Sequence, residues 1–212
     1  MRIALLRHAP TAGNLAHRYV GATDEDLGPQ GEALARAAAE GLAGLSPARV
    51  FTSGMARCEQ TARLALPGQR TRTLPGLAEM DFGAFEGKTY LDLSGDPRYQ
   101  AWVDSGCTDA CPGGENRAGF VDRVCATLGD ALGEIAHNTS SQTERDPGRH
   151  SIDALFVVHA GTIMAAMSSM AVPYRDYWDW KAPFCCGFAA QARQTEMGWQ
   201  LFDVGRIGAG WD

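Results

Sequence analysis

Short apolar runs and stretches of helical periodicity alternate along most of this chain, and their order predicts the fold. Ile3 to Leu6 is apolar, too short for a helix, and ends at Arg7-His8 and a Pro/Thr/Gly/Asn turn, the pattern of a strand running into a loop. Helical spacing follows from Gly31 to Leu42, a strand from Val50 to Ser53, a helix from Met55 to Leu66 and a short strand near Thr71. Asp153 to Val158, DALFVV, reads as a buried strand and leads into a small-residue, Met-rich helical pattern. Strands alternating with helices predict an α/β fold, a mostly parallel sheet flanked by helices. The middle of the chain breaks the rhythm. Lys88 to Gly114 is polar and turn-rich, and Glu115 to His137 reads as one amphipathic helix with Phe120, Val121, Val124 and Leu128 at core spacing. This section, about 88–138, is expected to be a small helical cap inserted in a single domain over 1–212. Asn138 to His150, NTSSQTERDPGRH, reads as a polar loop rather than a linker, and no internal repeat is visible.

The pattern also places the chemistry. In open α/β sheets ligands bind outside the carboxyl ends of the strands. Arg7 and His8 follow the first strand, Arg57 opens the helix after the Val50 strand, and His159-Ala160-Gly161-Thr162 follows the DALFVV strand. Any one of these histidines alone is more commonly a hydrogen-bonded structural residue. Two of them with two arginines at three strand ends make a candidate site. The loop LPGLAEMDFGAFEG adds Glu79, Asp81 and Glu86, and so a source for a proton donor.

Four separated motifs now match a known pattern in order. Arg7-His8 with Thr11 and Asn14 resembles the opening signature of the histidine phosphatase superfamily, the phosphoglycerate-mutase-like group. Arg57 sits in a Ser-x-x-x-Arg-x-x-x-Thr-Ala helix start, Glu79 in a Leu-x-Glu-x-x-Phe-Gly-x-x-Glu-Gly loop, and His159 in the closing His-Gly-Gly-like turn. Asp24-x-x-Leu27-x-x-x-Gly31 and Gly113-Gly114-Glu115 extend the likeness over nearly the whole chain.

The resemblance implies a phosphomonoesterase in which Arg7 and Arg57 neutralise the phosphate dianion with planar multi-donor forks. His8 takes the phosphoryl group as a phosphohistidine, and His159 opposite stabilises charge on the transferring oxygens. Glu79 is the expected general acid toward the leaving alkoxide and then base toward water, which requires a raised pKa. Ala160 and Thr162 are expected beside the phosphate. Asn14 is expected either there or as a helix cap. Ala9, Pro10 and Ala160 depart from residues common in the family, and Pro10 removes a backbone donor.

Composition narrows the partners. The 212 residues carry a formal net charge of −6, which argues against nucleic acid or a membrane surface, so the expected partner is a small phosphorylated metabolite recognised locally. No apolar run reaches the length of a transmembrane span, and MRIALLRHAP is too short for a signal peptide, so a cytoplasmic location is expected. Six cysteines lack metal-site spacing. Reduced thiols are expected, Cys185 and Cys186 pointing to opposite faces if they lie on a strand, with neither metal nor cofactor required.

Within the family the stretches ARCEQTARLAL, LAEMDFGAFEG and YQAW…PGGEN are most similar to the α-ribazole phosphatases of cobalamin assembly. Tyr99, Trp102 and Trp178 are candidates for an aromatic slot for a flat base, although such residues taken singly are more commonly ordinary core or cap packing. The competing expectations are a broad-specificity sugar or nucleotide phosphatase, a phosphoglycerate mutase, and a pseudoenzyme that only binds phosphorylated ligands. A mutase is expected to need an extended closing tail beyond Trp211-Asp212.

Overall fold

The computed structural model describes residues 1–140 and 152–211. Its six strands form one mixed sheet in the order β3-β2-β4-β1-β5-β6. They are β1 (Arg2–Arg7), β2 (Val50–Thr52), β3 (Thr71–Thr73), β4 (Ala154–Val158), β5 (Gly187–Thr195) and β6 (Gly198–Ile207). The first four are parallel neighbours, while β5 runs antiparallel to both β1 and β6. β1 and β4 lie in the middle and are covered on both faces, which is why they read as continuous apolar runs and not as alternation. The helices are α1 (Ala12–Leu15), α2 (Pro29–Leu42), α3 (Ala56–Ala65), α4 (Pro97–Asp104), α5 (Arg117–Ser140) and α6 (Ala160–Met170).

One face of the sheet packs Phe51, Phe156, Val158 and Ile3 against α5 and α6, with Phe51 and Phe156 stacked at 5.0 Å. The other face packs Leu6, Val50, Leu155 and Val157 against Leu42 of α2 and Cys58 and Ala62 of α3. Register fixes the site. Arg7 of β1 lies opposite Val158 of β4, so His8 and His159 leave adjacent strands at the same height. Thr52 of β2 lies opposite Val157, which brings Ser53 beside the same level from the far side of β4.

Three expectations need correction. The segment expected as a cap joins the main core throughout: Leu93, Trp102 and Cys111, from α4 and its flanking turns, lie in one cluster with Phe120, Val124, Leu128, Leu132 and Ile135 of α5 and with residues of the sheet. Trp102 and Tyr99 line no slot. Trp102 is buried among Tyr19, Phe82, Phe85 and Tyr99 at ring distances of 5.7 to 6.3 Å, and the Tyr99 hydroxyl bonds that of Tyr19 at 2.8 Å. Cys185 and Cys186 precede β5 instead of lying on it, and Cys185 has a left-handed backbone at φ 56°. All six cysteines are free thiols. Of the loop expected over Asn138 to His150, Asn138 to Ser140 continue α5 and the rest lies outside the described residues. The hairpin of β5 and β6, turning at Gly198 with φ +95°, has no counterpart in the sequence reading. Among the described residues no helix is long and apolar enough to cross a membrane.

Candidate active site

The protonation of His8 is set by its neighbour along the chain. Its Nδ1 lies 2.6 Å from the Ala9 carbonyl oxygen, an acceptor only, so Nδ1 carries the proton and Nε2 keeps its lone pair. That carbonyl is itself fixed, because the Ala9 N–H donates to the Thr61 hydroxyl at 2.9 Å and the hydroxyl donates to the Arg57 carbonyl at 2.6 Å. The His8 ring is thus aimed from α3. Ala9 and Pro10 run tightly under α2, where any Cβ on Gly31 would stand 2.0 Å from the Pro10 oxygen. Burial, then the charge of Arg57, push the His8 imidazole well below its usual value and keep it neutral.

Arg7 ends β1 with its guanidinium 3.7 Å over the Phe184 ring and its Nη1 donating to the Ala182 carbonyl at 2.8 Å. Desolvation lowers its pKa to about 10, which leaves it charged at neutral pH. Its Nε is buried and has no acceptor among the described residues.

Arg57 is fully buried on the first turn of α3. Nη1 and Nη2 donate to the carbonyls of Thr23 and Gly21, both at 2.8 Å, and Nε donates to His159 Nδ1 at 3.2 Å. The loop that supplies those carbonyls is held from the other side. Glu86 accepts from the backbone N–H groups of Gly21, Ala22, Thr23 and Phe82 and from the Thr23 hydroxyl, and Gly21 packs so closely that a Cβ would stand 1.9 Å from the Met80 oxygen. Glu86 is therefore a scaffold acceptor and not a proton donor. Asp81 likewise accepts from the Gly83 N–H at 2.8 Å.

His159 caps the start of α6 with its ring 5.0 Å from that of His8 in an edge arrangement. It is fully buried, and burial, then its neighbours His8, Arg57 and Arg7, lower its pKa well below the usual value. Glu79 approaches the same turn. Its two carboxylate oxygens accept from the Met80 N–H at 3.0 Å and the Gly161 N–H at 2.8 Å. Desolvation outweighs those bonds and the nearby arginines, so its pKa is raised, the condition for a carboxyl that must donate a proton.

Thr162 and Asn14, named from sequence for the phosphate, each have a structural partner. The Thr162 hydroxyl donates to the Leu77 carbonyl at 3.1 Å and so secures the loop that carries Glu79. Asn14 completes a capping box with Thr11, its Oδ1 accepting from the Thr11 N–H at 3.1 Å, which is the cap alternative. Ala160 takes the first position of α6. Ser53, Thr61 and Phe184 touch the catalytic groups with no role read for them from sequence. Ser53 and Thr61 stood within the matched motif around Arg57, and Phe184 carried no signal. Among the described residues no group of three His, Cys, Asp or Glu side chains could hold a metal ion.

A strand-end pocket with two arginines, two neutral imidazoles and one desolvated carboxyl defines a phosphoryl-transfer type of site. The profile of the histidine phosphatase superfamily (branch 1) matches residues 3–201, and the chain belongs to that family. It is 29% identical over 205 residues to an acid phosphatase of Mycobacterium tuberculosis, covering 92% of this chain and 91% of that one. It is 36% identical over 132 residues to the adenosylcobalamin/alpha-ribazole phosphatase of Salmonella typhimurium, covering 58% and 63%. The fold matches the alpha-ribazole phosphatase of Shigella flexneri with TM-score 0.76 at 23% identity, over 99% of this chain and 96% of the other.

Proposed function

We propose that the protein is a phosphomonoesterase working through a phosphohistidine at His8. The single observation that carries this reading is the 2.6 Å bond from His8 Nδ1 to the Ala9 carbonyl, which turns a neutral Nε2 lone pair outward as nucleophile. Arg7 and Arg57 neutralise the phosphoryl oxygens, Nε2 attacks phosphorus, and Glu79 gives its proton to the departing ester oxygen. Glu79, now a carboxylate, takes a proton from water as that water attacks the phosphohistidine. Phosphate leaves and both residues return to their starting forms.

For the substrate we propose α-ribazole 5′-phosphate. Support comes from the likeness to the two ribazole phosphatases and from a half-exposed Trp178 at a corner where Arg117 stacks on Tyr177 and Trp178 at 4.7 and 5.0 Å. Lys181 also lies 5.0 Å over the Trp178 ring, so the corner pairs an exposed aromatic side chain with two cations, a combination suited to a flat base beside a phosphate. The likeness to an acid phosphatase extends over more of the chain and favours broad specificity as the second reading. A panel of kcat/KM values decides between them. α-Ribazole 5′-phosphate should exceed 3-phosphoglycerate and sugar phosphates, and Trp178→Ala should lower that ratio. A tenfold preference for the others, about 1.4 kcal/mol of transition-state binding, overturns the substrate and leaves the chemistry standing.

A further inference from the structure

Arg57 constrains His159 more tightly than the distance between them suggests. A guanidinium has no acceptor, so the Nε–H of Arg57 at 3.2 Å can only donate, and His159 Nδ1 must present a lone pair. The buried neutral ring then carries its single proton on Nε2. Within reach of Nε2 lie the Ser53 hydroxyl oxygen at 2.8 Å and the Cys58 sulfur at 3.5 Å. The shorter contact, to the stronger acceptor, is Ser53.

We propose that Ser53 is a positioning residue for phosphoryl transfer: its hydroxyl accepts the hydrogen bond from His159 Nε2–H and so holds the ring with its Nδ1 edge turned to Arg57 and the phosphoryl pocket. The assignment rests on the proposed phosphatase reaction, in which His159 faces the transferring oxygens. Ser53 is itself fixed. It is buried at the end of β2, its oxygen 3.4 Å from the Met55 N–H donor, and the pairing of β2 with β4 sets its height against His159. A hydroxyl held this way restrains ring rotation.

The consequence appears when substrate binds. Arg7 and His8 at the end of β1, Arg57 on α3, and Arg123 on α5 all oppose a positive charge on His159, while the Glu79 carboxyl on the Gly161 N–H and the Cys58 thiol complete its surroundings. A bound phosphate monoester relieves part of that opposition but leaves the Nδ1 lone pair engaged by the Arg57 Nε–H, so the ring stays neutral, donates through Nε2, and keeps the orientation Ser53 gives it.

Long-range 1H–15N spectra of the ligand-free wild type, then with inorganic phosphate as probe, test this without relying on turnover. His159 should show a protonated Nε2 and an unprotonated Nδ1, both free and with phosphate. Ser53→Ala should keep the tautomer that Arg57 imposes, shift the Nε2–H resonance, and lower kcat by roughly 10- to 100-fold, the cost of about 1 Å of misplacement, with KM within about threefold. Ser53→Thr, which keeps the hydroxyl, should restore the wild-type Nε2–H resonance and kcat. A free wild-type His159 protonated on Nδ1 overturns the proposal, as does a Ser53→Ala enzyme with an unchanged Nε2–H resonance and kcat within about twofold. If no monoester is hydrolysed, the proposed function fails while the spectra still decide the Ser53 assignment.

Discussion

Gly161→Ala isolates the contribution of Glu79 by displacing its carboxyl without replacing it. A Cβ at Gly161 would stand 2.2 Å from Glu79 Oε1 and 2.9 Å from its Cδ, where ordinary contact begins at 3.4 Å. Oε1 must therefore retreat by about 1.2 Å, or the start of α6 must move. Displacements near 1 Å cost about 100-fold in rate, and general acid catalysis as a whole supplies about 10²- to 10⁴-fold. The variant should lose about 100-fold in kcat/KM toward an alkyl phosphate, close to 2.7 kcal/mol. Toward p-nitrophenyl phosphate, whose leaving group needs no proton, the loss should stay within about threefold. The helical backbone at this position accepts alanine, which intrinsically favours a helix by roughly 0.5–1 kcal/mol, so the melting temperature should hardly move. Parallel assays on glycerol phosphate and p-nitrophenyl phosphate, with a thermal melt, read all three quantities. Equal losses on both substrates, or an alkyl rate within threefold of wild type, refute the placement of Glu79 as acid.

Other consequences are open to measurement. Glu79→Gln should slow alkyl phosphates far more than aryl ones, and the wild-type alkyl rate should fall as pH rises through the raised pKa of Glu79 while the aryl rate does not; matched pH profiles would contradict this. His8 and His159 have folded pKa values below the unfolded value of 6.5, so their neutral burial contributes stability above that pH and loses it as pH falls, at about 1.4 kcal/mol per pH unit for each ring. Urea unfolding of His159→Gln between pH 6.5 and 5 should show a slope shallower by that amount, and an unchanged slope would refute the neutral assignment. Glu79 acts in the opposite sense, its contribution declining as pH rises above its unfolded value of 4.5. Trp102→Ala should cost about 3–5 kcal/mol of stability by urea titration and leave substrate ratios alone; a changed ratio at full stability would return Trp102 to the pocket.

The legible parts of the sequence are those where one chemical fact governs one position. β1 and β4 read correctly because central strands buried on both faces are unbroken apolar runs, and α2 and α3 because their spacing is local. Arg7, His8, Arg57, His159 and Glu79 were legible as types at strand ends and in one loop, and the structure brings them together. The rest depends on distant partners. Whether Trp102 lines a slot or fills a core is decided by Tyr19 and Phe85, neither of which is near it in sequence. Thr162 reads as a ligand until the Leu77 carbonyl takes its proton. α5 reads as a cap because a polar segment precedes it, yet its apolar face belongs to the sheet. In the β5 and β6 hairpin, Ala, Gln and Arg dilute the alternation that would mark strands.

The central claim is covalent, and rapid acid-free quenching with a 32P-labelled monoester tests it most directly. The account predicts an acid-labile, alkali-stable label on the peptide carrying His8, absent from His8→Ala along with turnover. Label on a serine, aspartate or cysteine, or a near wild-type rate in His8→Ala, would contradict it.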